Sequence, residues 1–96
     1  MLVIDVKVKL IGVFKEIFGE GSVFLKVDST MLKEVILKIT EISPRLKEVL
    51  FDPELDDPRP NAVILLNGTE INLFGGLKTP VKDGDEIVII PVIHGG

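Results

Sequence analysis

The sequence predicts an α+β domain, a mixed sheet of four to five strands packed on one main helix. Three observations carry this. Two early stretches alternate apolar and polar residues with period two, the mark of strands with one wet face. One central segment repeats apolar residues at helical spacing. Two later runs are apolar at almost every position and too short for a helix of that character, so they read as strands buried on both faces. Ninety-six residues suit a single domain over residues 1–96, which buries somewhat over ~60% of its unfolded surface and so supports one modest core.

Each element has its own local signal. Ile4, Val6, Val8 and Leu10 alternate with Asp5, Lys7 and Lys9, so residues 2–11 form a strand. Phe14 to Phe18 fits a short helical turn or part of a wide hairpin loop, and Gly19-Glu20-Gly21 is the turn proper. Ser22 to Asp28 is the second strand, with Val23, Leu25 and Val27 on the core face and Phe24 pointing the other way. Asp28-Ser29-Thr30 offers three good N-cap residues. Behind them Leu32, Val35, Ile36, Ile39 and Ile42 make one apolar helix face over 30–43, opposed by Lys33, Glu34, Lys38 and Glu41, and Pro44 stops the helix. Arg45 to Phe51 has room for one or two further turns. Residues 52–60 hold four acids, three prolines and one base, and read as a solvated loop. Asn61 to Leu66 is the third strand, Asn67-Gly68 a hairpin turn, Glu70 to Phe74 a loosely paired return, Lys82-Asp83-Gly84-Asp85 another turn, and Glu86 to Ile93 the last strand.

A single helix covers only one face of such a sheet. If Ile64 and Leu66 face it, Val63 and Leu65 do not; if Ile87 and Ile89 face it, Val88 and Ile90 do not. Phe24, Val63, Leu65, Val88 and Ile90 are therefore expected on the far face, as a patch that binds a partner. The alternative is that residues 44–60 fold over that face.

Composition narrows the chemistry. With 46% hydrophobic and 27% charged residues the chain is not a disordered tail. Zero cysteines remove disulfides, thiolate metal sites and a cysteine nucleophile. One histidine, His94, excludes a multi-histidine metal cage, and a net charge of −4 argues against nucleic-acid backbones as partners. No run approaches the ~18–20 apolar residues that span a bilayer, so a cytoplasmic location is expected. No metal site or stably bound cofactor is expected. Ser22, Ser29 and Ser43 lack an oriented base, and the chain alone presents no active site.

The end of the sequence is distinctive. It reads Ile93-His94-Gly95-Gly96, and at a glycine frequency of ~7% a terminal pair arises by chance in roughly one chain in two hundred. Residues 94–96 read as a flexible tail. Two glycines make it narrow enough for another protein's tunnel and leave the terminal carboxyl carbon unhindered. The α-carboxylate of Gly96 is ionised at neutral pH and is able to attack the α-phosphate of ATP in a partner enzyme.

The run from Leu66 to Ile87, with its Asn67-Gly68 hairpin, Gly76-Leu77 turn and Lys82-Asp83-Gly84-Asp85 turn, followed by Pro91 and Gly95-Gly96, resembles the β-grasp sulfur carriers. These comprise the small subunit of molybdopterin synthase (MoaD), its thiamine-pathway relative (ThiS) and the ubiquitin-related modifiers. The resemblance implies a ubiquitin-like β-grasp sheet with the first and last strands parallel and central. It implies that Gly96 is adenylated by an activating enzyme of the ubiquitin-activating type, which consumes ATP, and is then converted to a thiocarboxylate that donates sulfur. It implies a carrier rather than an enzyme, acting as the small subunit of molybdopterin synthase with that enzyme's large subunit in molybdenum cofactor biosynthesis. The alternatives are a protein modifier or tRNA-thiolation carrier acting through Gly96, and a non-covalent β-grasp adaptor. It also places Val63, Leu65, Val88 and Ile90 where the family makes apolar contacts with partners. His94 departs from the small residue that molybdopterin carriers commonly place before the two glycines; it and Gly95 are read as tail contacts to the activating enzyme or acceptor.

Overall fold

Alternation in the first strand dictates the architecture. In the computed structural model, which describes residues 2–28 and 30–92, β1 (Val3–Leu10) buries Ile4, Val6, Val8 and Leu10 and turns Asp5, Lys7 and Lys9 outward. It pairs antiparallel with β2 (Ser22–Asp28) and parallel with β5 (Glu86–Pro91). β3 (Ala62–Leu66) pairs antiparallel with β5 and with the two-residue β4 (Thr69–Glu70). The sheet order is β2-β1-β5-β3-β4, a mixed sheet with the first and last strands central, as the resemblance implies. The β3–β4 hairpin turns through Asn67 and Gly68 at φ 50° and 85°, the positive-φ pair that a two-residue turn between twisted strands requires.

One side of the sheet is covered by α1 (Val13–Phe18), α2 (Leu32–Ile42) and α3 (Pro44–Leu50). Leu32, Val35, Ile36 and Ile39 of α2 are buried against Val8, Ile64, Ile87 and Ile89 in one apolar cluster, joined by Phe14, Leu46 and Leu50 from the other two helices. Ile42 departs from the expected apolar face: it is exposed at the last residue of α2. Thr40 is buried in its stead, its hydroxyl donating to the Leu37 carbonyl at 2.9 Å.

The start of α2 also differs from expectation. The helix begins at Leu32 with Met31 as its cap, and no side chain caps it. The Leu32 N–H donates instead to the Thr79 carbonyl, and the Val81 N–H to the Thr30 carbonyl, each at 2.9 Å. A distant backbone segment thus supplies the acceptor that a side chain would otherwise give. Ser43 does act as a cap, for α3: its hydroxyl accepts from the Leu46 N–H at 3.3 Å, and Pro44 sits in the first turn, where a missing N–H costs nothing.

Residues 44–60 do not cover the far face of the sheet. α3 packs against α1 and α2 on the helix side, because Leu46 and Leu50 have the core there to enter. The acidic loop is structured by its own carboxylates. Asp52 accepts from the Glu54 and Leu55 N–H groups at 3.0 and 2.9 Å. Asp57 is gripped by the Arg59 guanidinium at 2.7 Å, and Arg59 reaches on to the Asn72 side-chain oxygen at 3.0 Å. The expected strand over 70–74 shrinks to β4, since Ile71–Leu73 turns into a 3-10 helix that buries Ile71 in the core. Among the described residues no helix is long and apolar enough to cross a membrane.

Candidate functional site

The far face of the sheet is read row by row from strand register. The first row runs Phe24, Lys7, Glu86, Asn67 across β2, β1, β5 and the hairpin turn. The second runs Ser22, Lys9, Val88, Leu65, Glu70. The third holds Ile90 and Val63. Ile11 extends that third row: its N–H donates to the Ile89 carbonyl at 3.2 Å, the same offset by which the Lys7 N–H donates to Asp85. Four of the five expected patch residues therefore form one aliphatic block on β5 and β3. Val63 is exposed, and Leu65, Val88 and Ile90 are half-buried. Ile11, 40% exposed, completes the block. Sequence reasoning misses it, although the outward alternation of Lys7 and Lys9 continues to it.

Phe24 lies on this face but not in the block. It is the most exposed of the expected patch residues, at 77%, and sits on β2 beyond the charged row of β1. Lys7 lies over its ring at 5.7 Å and reaches Glu86 at 3.7 Å. The reason is topological: β1 is inserted between β2 and β5, and every outward residue of β1 between Asp5 and Lys9 is charged. The same half of the face carries the Lys26–Asp5 pair at 2.9 Å, in which the hydrogen bond from Lys26 to Asp5 raises the ammonium's pKa. The face is thus divided into an ionic half on β2 and β1 and an aliphatic half on β5 and β3.

The aliphatic half lies at the end of β5 from which the sequence continues. The Val92 N–H donates to the Asn61 carbonyl at 3.0 Å, holding the chain to the sheet through residue 92. Ile93, His94, Gly95 and Gly96 fall outside the described residues, and with them the expected flexible tail at 94–96 and the tail assignments of His94, Gly95 and Gly96. The exposed apolar side chains are thus grouped on the half of the sheet where β5 ends, and an exposed apolar group of this kind is the type of surface that partners cover.

Away from this face, Arg59 ties the acidic loop to the 70–73 turn. Its hydrogen bonds hold the Asp57 carboxyl below the usual carboxylate range despite partial burial, and Asp57 in turn raises the guanidinium. Asn72 receives Arg59 and bonds Glu70 through both its backbone and side-chain N–H groups. This chain of polar groups ties the acidic loop to the 70–73 turn.

Comparison with known proteins gives the chain its family and fold relatives. Residues 8–96 match the model of the ThiS family. A ubiquitin-related modifier 1 homolog of Dictyostelium discoideum is 32% identical over 95 residues, which cover 95% of this chain and 98% of that protein. The solution structure of small archaeal modifier protein 1 from Methanosarcina acetivorans superposes with a TM-score of 0.85 at 33% identity, covering 100% of both chains. A putative molybdopterin converting factor, subunit 1, from Pyrococcus furiosus gives a TM-score of 0.75 at 21% identity over 94% of this chain and 99% of that one, a likeness of fold. With its parallel central pair, its single covered face and a family match that runs through Gly96, the chain belongs to the ThiS family of ubiquitin-like sulfur carriers and modifiers.

Proposed function

We propose that this chain is a cytoplasmic sulfur carrier that acts through the carboxylate of Gly96 as the substrate of partner enzymes rather than as a catalyst. An activating enzyme of the ubiquitin-activating type binds the aliphatic block of Val63, Leu65, Val88 and Ile90. In its site a Gly96 carboxylate oxygen attacks the α-phosphate of ATP, pyrophosphate leaves, and an acyl-adenylate forms. A sulfur nucleophile then displaces AMP and leaves a thiocarboxylate. The observation that carries this reading is the extent of the family match, which includes Gly95 and Gly96 and joins them to a β5 strand held to the sheet as far as Val92. His94 and Gly95 lie in the segment that enters the partner and are assigned to contacts there.

For the acceptor we favour the ubiquitin-related modifier branch, in which the activated glycine serves tRNA thiolation or joins target lysines. A modifier relative 32% identical along the whole chain supports it, as does His94 in place of a small residue before the diglycine. The second reading is delivery of sulfur into the large subunit of molybdopterin synthase. It is supported by the shared fold of a putative molybdopterin converting factor, subunit 1; the Leu66–Ile87 turn pattern and Pro91 resemble the family as a whole and do not separate the two. Mass spectrometry of cell extracts separates the two. Glycine-glycine remnants on target lysines or loss of thiolated tRNA on deletion favour the first; sulfur transfer to a pterin precursor with the large subunit, with neither of those effects, favours the second. No dependence of any of these on Gly96 would refute the carrier reading itself.

A further inference from the structure

The β2 edge of the sheet is a long, regular strand whose outer backbone groups bond no other described residue, and it stands apart from the tail chemistry. Hydrogen bonding fixes which groups those are. The Leu10 N–H donates to the Gly21 carbonyl at 2.9 Å, whereas the Lys7 N–H donates across the other side to Asp85 at 3.0 Å. Even-numbered residues of β1 therefore bond β2 and odd-numbered ones bond β5. Through the register Val8↔Val23 and Val6↔Leu25, Val23, Leu25 and Val27 direct their N–H and C=O groups at β1. Ser22, Phe24, Lys26 and Asp28 direct theirs away from the sheet. Among the described residues no strand lies beyond β2.

The two sheet edges differ. β4 is two residues long, the short edge by which sheets avoid unwanted pairing. β2 is seven residues long, without proline. Its only edge protection is the charge of Lys26 and Asp28, and that protection depends on what lies opposite.

We infer that β2 pairs antiparallel with β2 of a second copy about a two-fold axis at Leu25, joining two sheets into one. In this register the outward-bonding groups of Phe24 meet those of Lys26 in the partner copy, and Ser22 meets Asp28, so no like charges stand directly across. Each Phe24 ring, already under its own Lys7 at 5.7 Å, gains the ammonium of the partner copy's Lys26, a second cation–π contact. Each Lys26 remains neutralised by its own Asp5 at 2.9 Å. The row across the joint then reads Glu86, Lys7, Phe24, then the second copy's Lys26 and Asp5. A shift of register by two residues one way sets Lys26 against Lys26; the other way sets Glu20 against Asp28. Charge therefore selects the centred register. The pairing also covers Phe24, the exposed aromatic that the aliphatic block leaves out.

The test uses the full chain. Sedimentation equilibrium from micromolar to millimolar concentration should show the mean mass rising from one chain toward two. Lys26→Pro removes an N–H that no intramolecular bond uses; with one bond lost on each side of the axis, dimerisation should weaken roughly tenfold or more, while circular dichroism and the unfolding midpoint stay near wild type. If Lys26→Pro unfolds, Phe24→Ser replaces it, with the same loss expected. Register is read by disulfides, since the chain has no cysteine: an equal mixture of Phe24→Cys and Lys26→Cys chains should oxidise chiefly to the mixed dimer. A monomer at every concentration, a folded Lys26→Pro or Phe24→Ser chain that dimerises as well as wild type, or homodimeric disulfides in place of the mixed one would each overturn the inference.

Discussion

Ile89 and Ile90 are neighbours on the last strand that face opposite sides of the sheet, and substituting each separates the fold from the proposed contact. Ile89 is fully buried and paired with Ile64. Truncation to alanine should cost about 2–5 kcal/mol from lost transfer energy and the cavity left behind. In a domain of this size that lowers Tm by at least roughly 8 °C. Ile90 faces outward, half-buried, beside Val63. Ile90→Glu removes no core volume, so its stability cost should be about 1 kcal/mol or less. If an activating enzyme closes over the aliphatic block, the same carboxylate must be desolvated in an apolar contact, at a cost of about 2 kcal/mol or more, roughly thirtyfold in affinity. Urea unfolding gives the first quantity. ATP–pyrophosphate exchange by the activating enzyme, measured against carrier concentration, gives the second. Ile89→Ala should unfold early yet support exchange at temperatures where it is folded; Ile90→Glu should stay folded and fail in exchange. An Ile90→Glu chain with an unchanged half-saturating concentration would refute the interface.

The loop network gives further expected outcomes. Arg59 depresses the Asp57 pKa, so the ionised pair adds stability that is present above the unfolded carboxylate pKa of about 3.9 and is lost as pH falls through the lower folded value. Asp57→Asn should therefore be less stable than wild type at neutral pH, with the gap closing below about pH 4, as read from urea midpoints across pH. Gly68 and Gly76 both have positive φ, 85° and 60°, but a Cβ at Gly68 meets nothing within 4 Å whereas one at Gly76 comes within 3.1 Å of the Arg59 guanidinium. Gly68→Ala should cost about 1 kcal/mol and Gly76→Ala more, the excess vanishing in an Arg59→Ala background in thermal melts.

Much of the fold is legible because strand alternation is strict: Ile4 to Leu10 and the doubly apolar runs at 62–66 and 87–90 place both faces of the sheet without tertiary knowledge. The two-residue turn at Asn67-Gly68 is equally local, since only residues tolerant of positive φ close it. What escapes the sequence is what depends on distant partners. Three candidate caps at 28–30 outweigh Met31 on propensity, yet the Thr79 carbonyl, far along the chain, satisfies the first N–H of α2. Arg45 to Leu50 becomes a full helix because Leu46 and Leu50 find the core, which no local pattern reveals. Phe24 has the parity of the patch residues, but strand order, not parity, decides that Lys7 and Glu86 lie between it and Val88. Ile11 has the outward parity of Lys7 and Lys9 within the strand read over 2–11, but only the parallel pairing of β1 with β5 sets it beside Ile90.

Under the proposed function, reactivity resides at Gly96 while the sheet face recruits the enzyme that activates it. Intact-mass measurement of the wild-type chain and of a chain lacking Gly96, each incubated with ATP, the activating enzyme and a sulfur donor, tests this most directly. The wild type should gain the mass of one oxygen exchanged for sulfur, the shortened chain should gain nothing, and both should melt at the same temperature. A wild-type chain that stays unmodified with a competent activating enzyme, or a shortened chain that acquires sulfur equally well, would contradict it.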